Sequence, residues 1–344
     1  LKRHGHLYEK IYDFKNLHLA YLKARKNKRY DREVLKYTEN LEESLINLQN
    51  ELIWKTYKPR PIRDFYSYFP KKRLISAPAF YDRVLHHAIN NIIEPIFDDT
   101  FISDNYACRQ GKGTHAAVTK LQNNLKEAEK KFGKVYCLKA DIAKYFPSIV
   151  QETLYQIVEK KIKDPDLLWL LKLIIEINEG IKGLGIGALT SQLLANTYLN
   201  ELDHFAKEDL GIKYYIRYMD DFIILGSNKE ELHQTRACIE DYIDLELHLK
   251  TNSKTQVFPA NRGVTFLGYR VWSTHILIKS QTKRRIKKVL KIIGEKYRKG
   301  EMTLEEVKRV MAGYMGHIDF ADTKKLKESL LENLVLTREN KEVE

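Results

Sequence analysis

Two adjacent aspartates, Asp220 and Asp221, stand between two strongly apolar runs, Tyr214-Tyr215-Ile216 and Phe222-Ile223-Ile224-Leu225. That pattern predicts a β-hairpin with the acids at its tip. A third acid, Asp141, ends the short run Tyr136-Cys137-Leu138-Lys139-Ala140. Carboxylates from two neighbouring strands suit one chemistry well. Two divalent ions about 3.5–4 Å apart can activate a sugar hydroxyl and neutralise a leaving pyrophosphate. Magnesium takes hard oxygen ligands and keeps some of its waters, so two or three convergent carboxylates suffice. A bare Asp-Asp is more often a solvated turn, because Asp is a common turn residue. The apolar flanks shift the balance by placing the pair at the rim of a buried sheet, where rigid elements present reactive groups.

The elements that must position these acids belong to a chain of 344 residues, 43% of them apolar, enough to bury a sizeable core in two or three lobes. An excess of 59 Lys and Arg over 46 Asp and Glu leaves a net charge of +13. Such a surface attracts a polyanion and releases its counterions, although charge alone fits a merely well-solvated basic protein too. Cys108, Cys137 and Cys238 are odd in number and never form a Cys-x-x-Cys pair, which argues against disulfides and zinc. No apolar run approaches the roughly 20 residues that cross a bilayer, and the charged start from Leu1 to Tyr12 is no signal peptide. The expected setting is a reducing cytoplasm.

Residues 1 to about 56 read as amphipathic basic helices, with Leu41, Leu45 and Leu48 at helical spacing. The texture changes near Trp54. Tyr57-Lys58-Pro59-Arg60-Pro61 breaks the helix, and Asp64-Phe65-Tyr66-Ser67-Tyr68-Phe69 is aromatic and strand-like. Segment 153–178 returns to helical periodicity through Leu154, Ile157, Val158 and Ile162. Gly183, Gly185 and Gly187 mark a turn before a long helix expected from Leu193 to Phe205. From Thr282 a basic helix carries Ile286, Val289, Leu290 and Ile293 on one face, and the charged end from Thr337 to Glu344 is expected to fray.

Tyr218-Met219-Asp220-Asp221 resembles the palm-hairpin motif of reverse transcriptases, and other blocks follow in the family's order. Lys72-Arg73-Leu74-Ile75-Ser76-Ala77-Pro78 with Asp82-Arg83-Val84-Leu85-His86 resembles the first fingers block. The run from Phe101-Ile102-Ser103-Asp104-Asn105 to Gly111-Lys112-Gly113-Thr114-His115 resembles the second. Asp141-Ile142-Ala143-Lys144-Tyr145-Phe146 resembles the palm block bearing the first catalytic aspartate. Within the superfamily the chain is most similar to the enzymes of diversity-generating retroelements. Its stretch Ile186-Gly187-Ala188-Leu189-Thr190-Ser191-Gln192 has Ile and Gln where group II intron and retroviral enzymes typically have Gln and Pro. Gly185, in place of a frequent proline, and Ala188, in place of a common asparagine, depart from the pattern.

The resemblance implies an α+β, right-hand polymerase fold with fingers, a palm of antiparallel sheet with helices, and a helical thumb. The implied division is a basic helical N-terminal extension over 1–55, fingers over 56–135, palm over 136–275 and thumb over 276–344. Residues 151–185 form a helical insertion contributing to fingers and palm.

It implies Asp141, Asp220 and Asp221 as catalytic and metal-binding residues, with Ile142 in the metal site, and two Mg2+ ions replaceable by Mn2+. The dNTP site would comprise Lys72, Arg73, Phe146, Ile186, Gly187 and Gln192. Phe146 would be the steric gate that excludes a 2′-hydroxyl; a lone Phe is otherwise a core residue. Arg73 suits bidentate phosphate contact, while Lys71 and Lys72 read equally as a solvated basic turn. An apolar Ile186 cannot supply the hydrogen bonds of a glutamine, which implies low fidelity opposite template adenines. Lys254 is a candidate general acid or simply a solvated lysine. Phe266-Leu267-Gly268-Tyr269 is a candidate primer grip or an edge hairpin. The helix from Thr282 to Arg298 would lie along the template-primer duplex, recognising shape and backbone.

The implied partners are a template RNA, a primer or cDNA strand, dNTPs and a small basic accessory protein oligomer, with no membrane, in a bacterial or phage-encoded system. The alternatives are a group II intron or retron-type reverse transcriptase and, in another class, a non-catalytic maturase-like RNA-binding protein. The lack of a long extension after Glu344 weighs against an intron-encoded protein, although a chain starting at Leu1 is open to having been trimmed.

Overall fold

The computed structural model describes residues 2–68, 72–176, 180–332, 334 and 336–338. Phe69, Lys71, the end of the helical span 153–178 and the last residues of the chain lie outside this set. The chain forms two compact units, one of 1–111, 139–222 and 234–255, the other of 112–138, 223–233 and 256–344.

In the first unit the helix Phe14–Ala24 packs against both Leu41–Ile53 and Phe80–Asp98. Asp13 caps the first of these by accepting from the N–H groups of Lys15 and Asn16. Its buried face is Leu17, Ala20, Tyr21 and Ala24. Leu45, Leu48 and Leu52 recur at three and four residues along the helix Leu41–Ile53 and are at most 1% exposed. Each such side chain contributes about 1.5–3 kcal/mol on burial. The break near Trp54 therefore falls inside one unit. Beyond it, the Tyr57 hydroxyl donates to Asp82 Oδ1 at 2.8 Å, and the Arg60 guanidinium lies 3.7 Å from the Tyr81 ring centroid.

Helical periodicity over 153–178 resolves into two helices, Gln151–Glu159 and Pro165–Ile175. Asp164-Pro165 sets the second start, because Pro cannot continue a helix and fits its first turn. Asp164 does more than cap that helix. Its Oδ1 accepts from Asp166 N and Leu167 N, and its Oδ2 from Leu7 N and Tyr8 N at 2.7 and 3.0 Å. Burial pushes its carboxyl up, but these four donors hold it below its ordinary value. The expected long helix from Leu193 starts earlier, as Leu189–Tyr198, and gives way to Asn200–His204 and a wider π-type turn over Phe205–Asp209.

The strands are β1 (Arg63–Ser67), β2 (Arg73–Ala77), β3 (Tyr136–Asp141), β4 (Tyr215–Tyr218), β5 (Asp221–Gly226), β6 (Gln256–Pro259), β7 (Val264–Phe266), β8 (Tyr269–Val271) and β9 (Ile276–Ile278). β1 and β2 form an antiparallel pair with Phe65 opposite Ile75 and Ser67 opposite Arg73. A four-stranded sheet has the order β4-β5-β3-β6, and β7-β8-β9 is an antiparallel meander.

The second unit carries the helices Thr114–Phe132, Ser280–Arg298, Leu304–Asp319 and Lys324–Glu332. Ile286, Leu290 and Ile293 form the buried stripe of Ser280–Arg298, as the periodicity predicts, with Val289 half-buried beside them. Thr303 and Glu306 close a reciprocal capping box at the start of Leu304–Asp319.

Candidate active site

β3 alternates, so Cys137, Leu138 and Ala140 are buried while Lys139 and Asp141 emerge on one face. Next to β3 lies β5, which begins at Asp221. The hairpin from β4 to β5 turns through Met219 and Asp220 alone, so Asp220 is the acid in the turn and Asp221 is the first residue of a strand. Met219 takes a φ of 54°, a left-handed conformation that costs a side-chain-bearing residue about 1–2 kcal/mol.

The acids are joined through the backbone. Ile142 N donates to Asp220 O at 3.1 Å, and Asn252 N donates to Asp141 O at 2.6 Å. Ile142 and Thr251 form an antiparallel bridge, and Ala143 N donates to Lys250 O at 2.8 Å. The loop holding Lys254 is thereby stapled to the end of β3, and Lys254 N itself donates to Asn252 Oδ1 at 3.1 Å. The Lys254 side chain is exposed.

Burial raises the Asp220 carboxyl above its ordinary value, the charge of Asp141 raises it further and that of Asp221 adds to both, while Arg73 opposes them. These four residues therefore share one electrostatic site. Lys139 Nζ lies 3.1 Å from Asp221 Oδ2. Among the described residues no three His, Cys, Asp or Glu side chains converge into a cage for one ion. Asp221 is paired with Lys139. The all-oxygen donor set still suits magnesium, which commonly takes one or two carboxylates and completes its shell with substrate phosphates and water. Ile142 has a buried apolar side chain, so only its main-chain carbonyl could act as a ligand.

The proposed nucleotide-site residues are partly assembled. Arg73 opens β2, and Lys72 Nζ sits 4.3 Å from the centre of the Tyr66 ring. Ser76 N donates to Ile186 O at 2.8 Å, docking the Ile186-Gly187 segment on the β2 backbone. Gly187 has a φ of 133°, and a Cβ there would lie 2.8 Å from Ser76 O. Only glycine fits this approach. Phe146, half-buried on the short helix Tyr145–Ser148, accepts from Leu184 N at 3.0 Å through its carbonyl, so this helix and the loop before Ile186 share one backbone contact. Gln192 is exposed and its Oε1 accepts from Cys108 Sγ at 3.6 Å.

In the second unit Leu267 and Gly268, both with positive φ, form the β7-β8 turn. Phe266 and Tyr269 are fully buried, and the Tyr269 hydroxyl is engaged by His115 and His317 at 3.0 and 2.6 Å. Only the turn itself can face a bound strand.

Sequence reasoning missed Lys139, Asn252 and Arg217. Lys139 was legible two residues before Asp141 on an alternating strand. Arg217 was legible as a charge inside an apolar run, which requires a buried partner. Asn252 carried no comparable signal.

The profile of the reverse transcriptase (RNA-dependent DNA polymerase) family matches residues 64–271. Protein YkfC of Escherichia coli K12 is 26% identical over 65% of this chain and 70% of its own length. The group II intron-encoded protein LtrA of Lactococcus lactis is 28% identical over 48% of this chain, and that match spans only 28% of LtrA. The apo telomerase of Candida tropicalis shares the fold at a TM-score of 0.50 and 12% identity, covering 73% of this chain and 56% of its own. The mixed helix-and-sheet architecture is that of the right-hand polymerases.

Proposed function

The chain belongs to the reverse transcriptase (RNA-dependent DNA polymerase) family, and on that premise we propose that it is a catalytically active RNA-directed DNA polymerase of the diversity-generating type. The observation that carries the polymerase reading is the shared site of Asp141, Asp220, Asp221 and Arg73, in which burial and the charges of Asp141 and Asp221 raise the affinity of the Asp220 carboxylate for positive charge. Bound magnesium would supply activation of a primer 3′-hydroxyl and neutralisation of pyrophosphate. Asp141 and Asp220 would hold it, with Ile142 contributing its carbonyl and Asp221 within reach. Arg73 and Lys72 would receive the triphosphate, Phe146 would lie under the sugar, and Lys254 would donate a proton to the leaving group. The template is an RNA, and the cations on Ser280–Arg298 would follow the duplex backbone.

The diversity-generating reading rests on Ile186, Gly187 and Gln192. The β2 backbone fixes Ile186 by its carbonyl, leaving an apolar side chain where a hydrogen-bonding one would help reject a wrong base. The proposed partners are a small basic accessory oligomer and a bacterial or phage-encoded template RNA. A group II intron or retron-type polymerase is the competing reading, favoured by the match to LtrA. A maturase-like RNA-binding protein without catalysis is the other, since an Arabidopsis nuclear intron maturase is 27% identical over 39% of the chain.

Primer extension on an RNA template with magnesium, followed by cDNA sequencing, separates them. Extension that Asp220→Asn abolishes supports a polymerase. Misincorporation concentrated opposite adenine, and reduced by Ile186→Gln, supports the diversity-generating type. Accurate cDNA with the partners supplied favours the intron-like reading, and no extension favours the maturase-like one.

A further inference from the structure

Arg217 is the largest fully buried side chain of the described residues, set in β4 two residues before the turn. Its Nε and Nη2 grip Asp203 Oδ1 and Oδ2 at 2.6 and 2.5 Å, a bidentate pair with both side chains 0% exposed. Its Nη1 donates to Asn196 Oδ1 and to Met219 O, both at 3.0 Å. Asp203 Oδ1 also accepts from the Tyr215 hydroxyl at 2.7 Å, and Asn196 Oδ1 accepts from Asn105 Nδ2 at 3.0 Å. The Arg217 main chain is tied as well, its N–H donating to Asp104 O and its carbonyl accepting from Tyr106 N, both at 3.0 Å.

We infer that Arg217, held by Asp203 and Asn196, is the positioning residue that fixes the Met219 carbonyl and thereby aims the Asp220 carboxylate. Stability alone gives little reason for such a group, since a buried ion pair replaced by well-packed apolar side chains is often no less stable. An apolar replacement could not donate to Met219 O. That bond ties a rigid helix-borne acid to a residue in the left-handed conformation immediately before Asp220. The planar guanidinium matters because one fork faces Asp203 while the remaining nitrogen reaches the turn; an ammonium cannot do both.

The inference rests on the polymerase reading, and the test separates the two. Arg217→Met combined with Asp203→Leu and Tyr215→Phe removes the pair without leaving a lone charge; Arg217→Lys keeps the charge but loses the fork. Primer extension is measured with amide exchange at Met219, Asp220 and Asp221. The triple variant is expected to fold and bind an RNA–DNA duplex as the wild type does, with dNTP KM within about threefold and kcat lower by about 100-fold. Turn amides should exchange about tenfold faster while β4 and β5 stay protected. Arg217→Lys should show the same pattern more weakly, and it decides the matter if the triple variant does not fold. Unchanged kcat and unchanged turn exchange in the folded variant would overturn the inference. A wild type that does not extend primers sinks the polymerase reading instead, and turn exchange alone then judges the positioning role.

Discussion

Lys139 and Asp221 face each other across adjacent strands, Nζ to Oδ2 at 3.1 Å, each with 23% of its side chain exposed. The pair places a cation beside the acids of the proposed site without burying it. At that exposure its net stability is at most about 1 kcal/mol. Lys139→Met should therefore lower the unfolding free energy by no more than about that amount. Lys139→Glu would set a fourth carboxylate in the site, and primer extension should fall by about 100-fold or more, while Lys139→Arg stays near wild type. Wild-type extension by the glutamate variant would show that this lysine is incidental.

Gly187 offers a sharper structural test. A methyl group there meets Ser76 O at 2.8 Å and Ile75 Cγ2 at 3.3 Å, at a φ that disfavours any side chain. Gly187→Ala is expected to destabilise by about 1–3 kcal/mol and to raise the dNTP KM by displacing Ile186 from β2. Urea unfolding alongside steady-state kinetics checks both; an unchanged midpoint would contradict the close approach.

For Phe146, half-buried and 5.6 Å from the Tyr145 ring centre, truncation tests the gate. Phe146→Ala should raise the kcat/KM for ribonucleotides relative to deoxyribonucleotides by about tenfold or more. An unchanged ratio would return Phe146 to the role of an ordinary packing residue.

A pH dependence follows from His86, which is buried and shares a 2.6 Å hydrogen bond with Thr190. Burial, and then the neighbouring His87, push its imidazole down to about 4 from an ordinary 6.5. Between those values the unfolded chain binds a proton that the folded chain does not. Its contribution is thus complete above pH 6.5 and is lost as pH falls toward 4. Between pH 7.5 and 5 the wild type should lose about 2 kcal/mol more than His86→Gln. Equal losses in the two proteins would contradict this.

The strands bearing the acids were legible in the sequence because apolar runs and a polar interruption are local signals. Tyr214 to Leu225 announces its hairpin, and Asp141 its strand end. Periodicity could not say that Asp220 alone occupies the turn, because that depends on Met219 accepting a left-handed backbone. Nor could it pair Arg217 with Asp203 or Lys139 with Asp221, since those choices are made by chain segments meeting in space. The break at Asp164 was written in Asp-Pro, yet helical spacing on both sides hid it.

Asp164 has a consequence for how the chain is made. Its carboxylate closes the helix start at Leu7 and Tyr8 across a sequence separation of 157 residues. At about 5–20 residues per second on a ribosome, those first helical turns wait roughly 8–30 s for the acid that caps them. During that interval the helices Leu41–Ile53 and Phe80–Asp98 can gather around Phe14–Ala24, all of which emerge before Asp164. The order of synthesis thus favours a helical nucleus assembled early and locked late, by a single side chain.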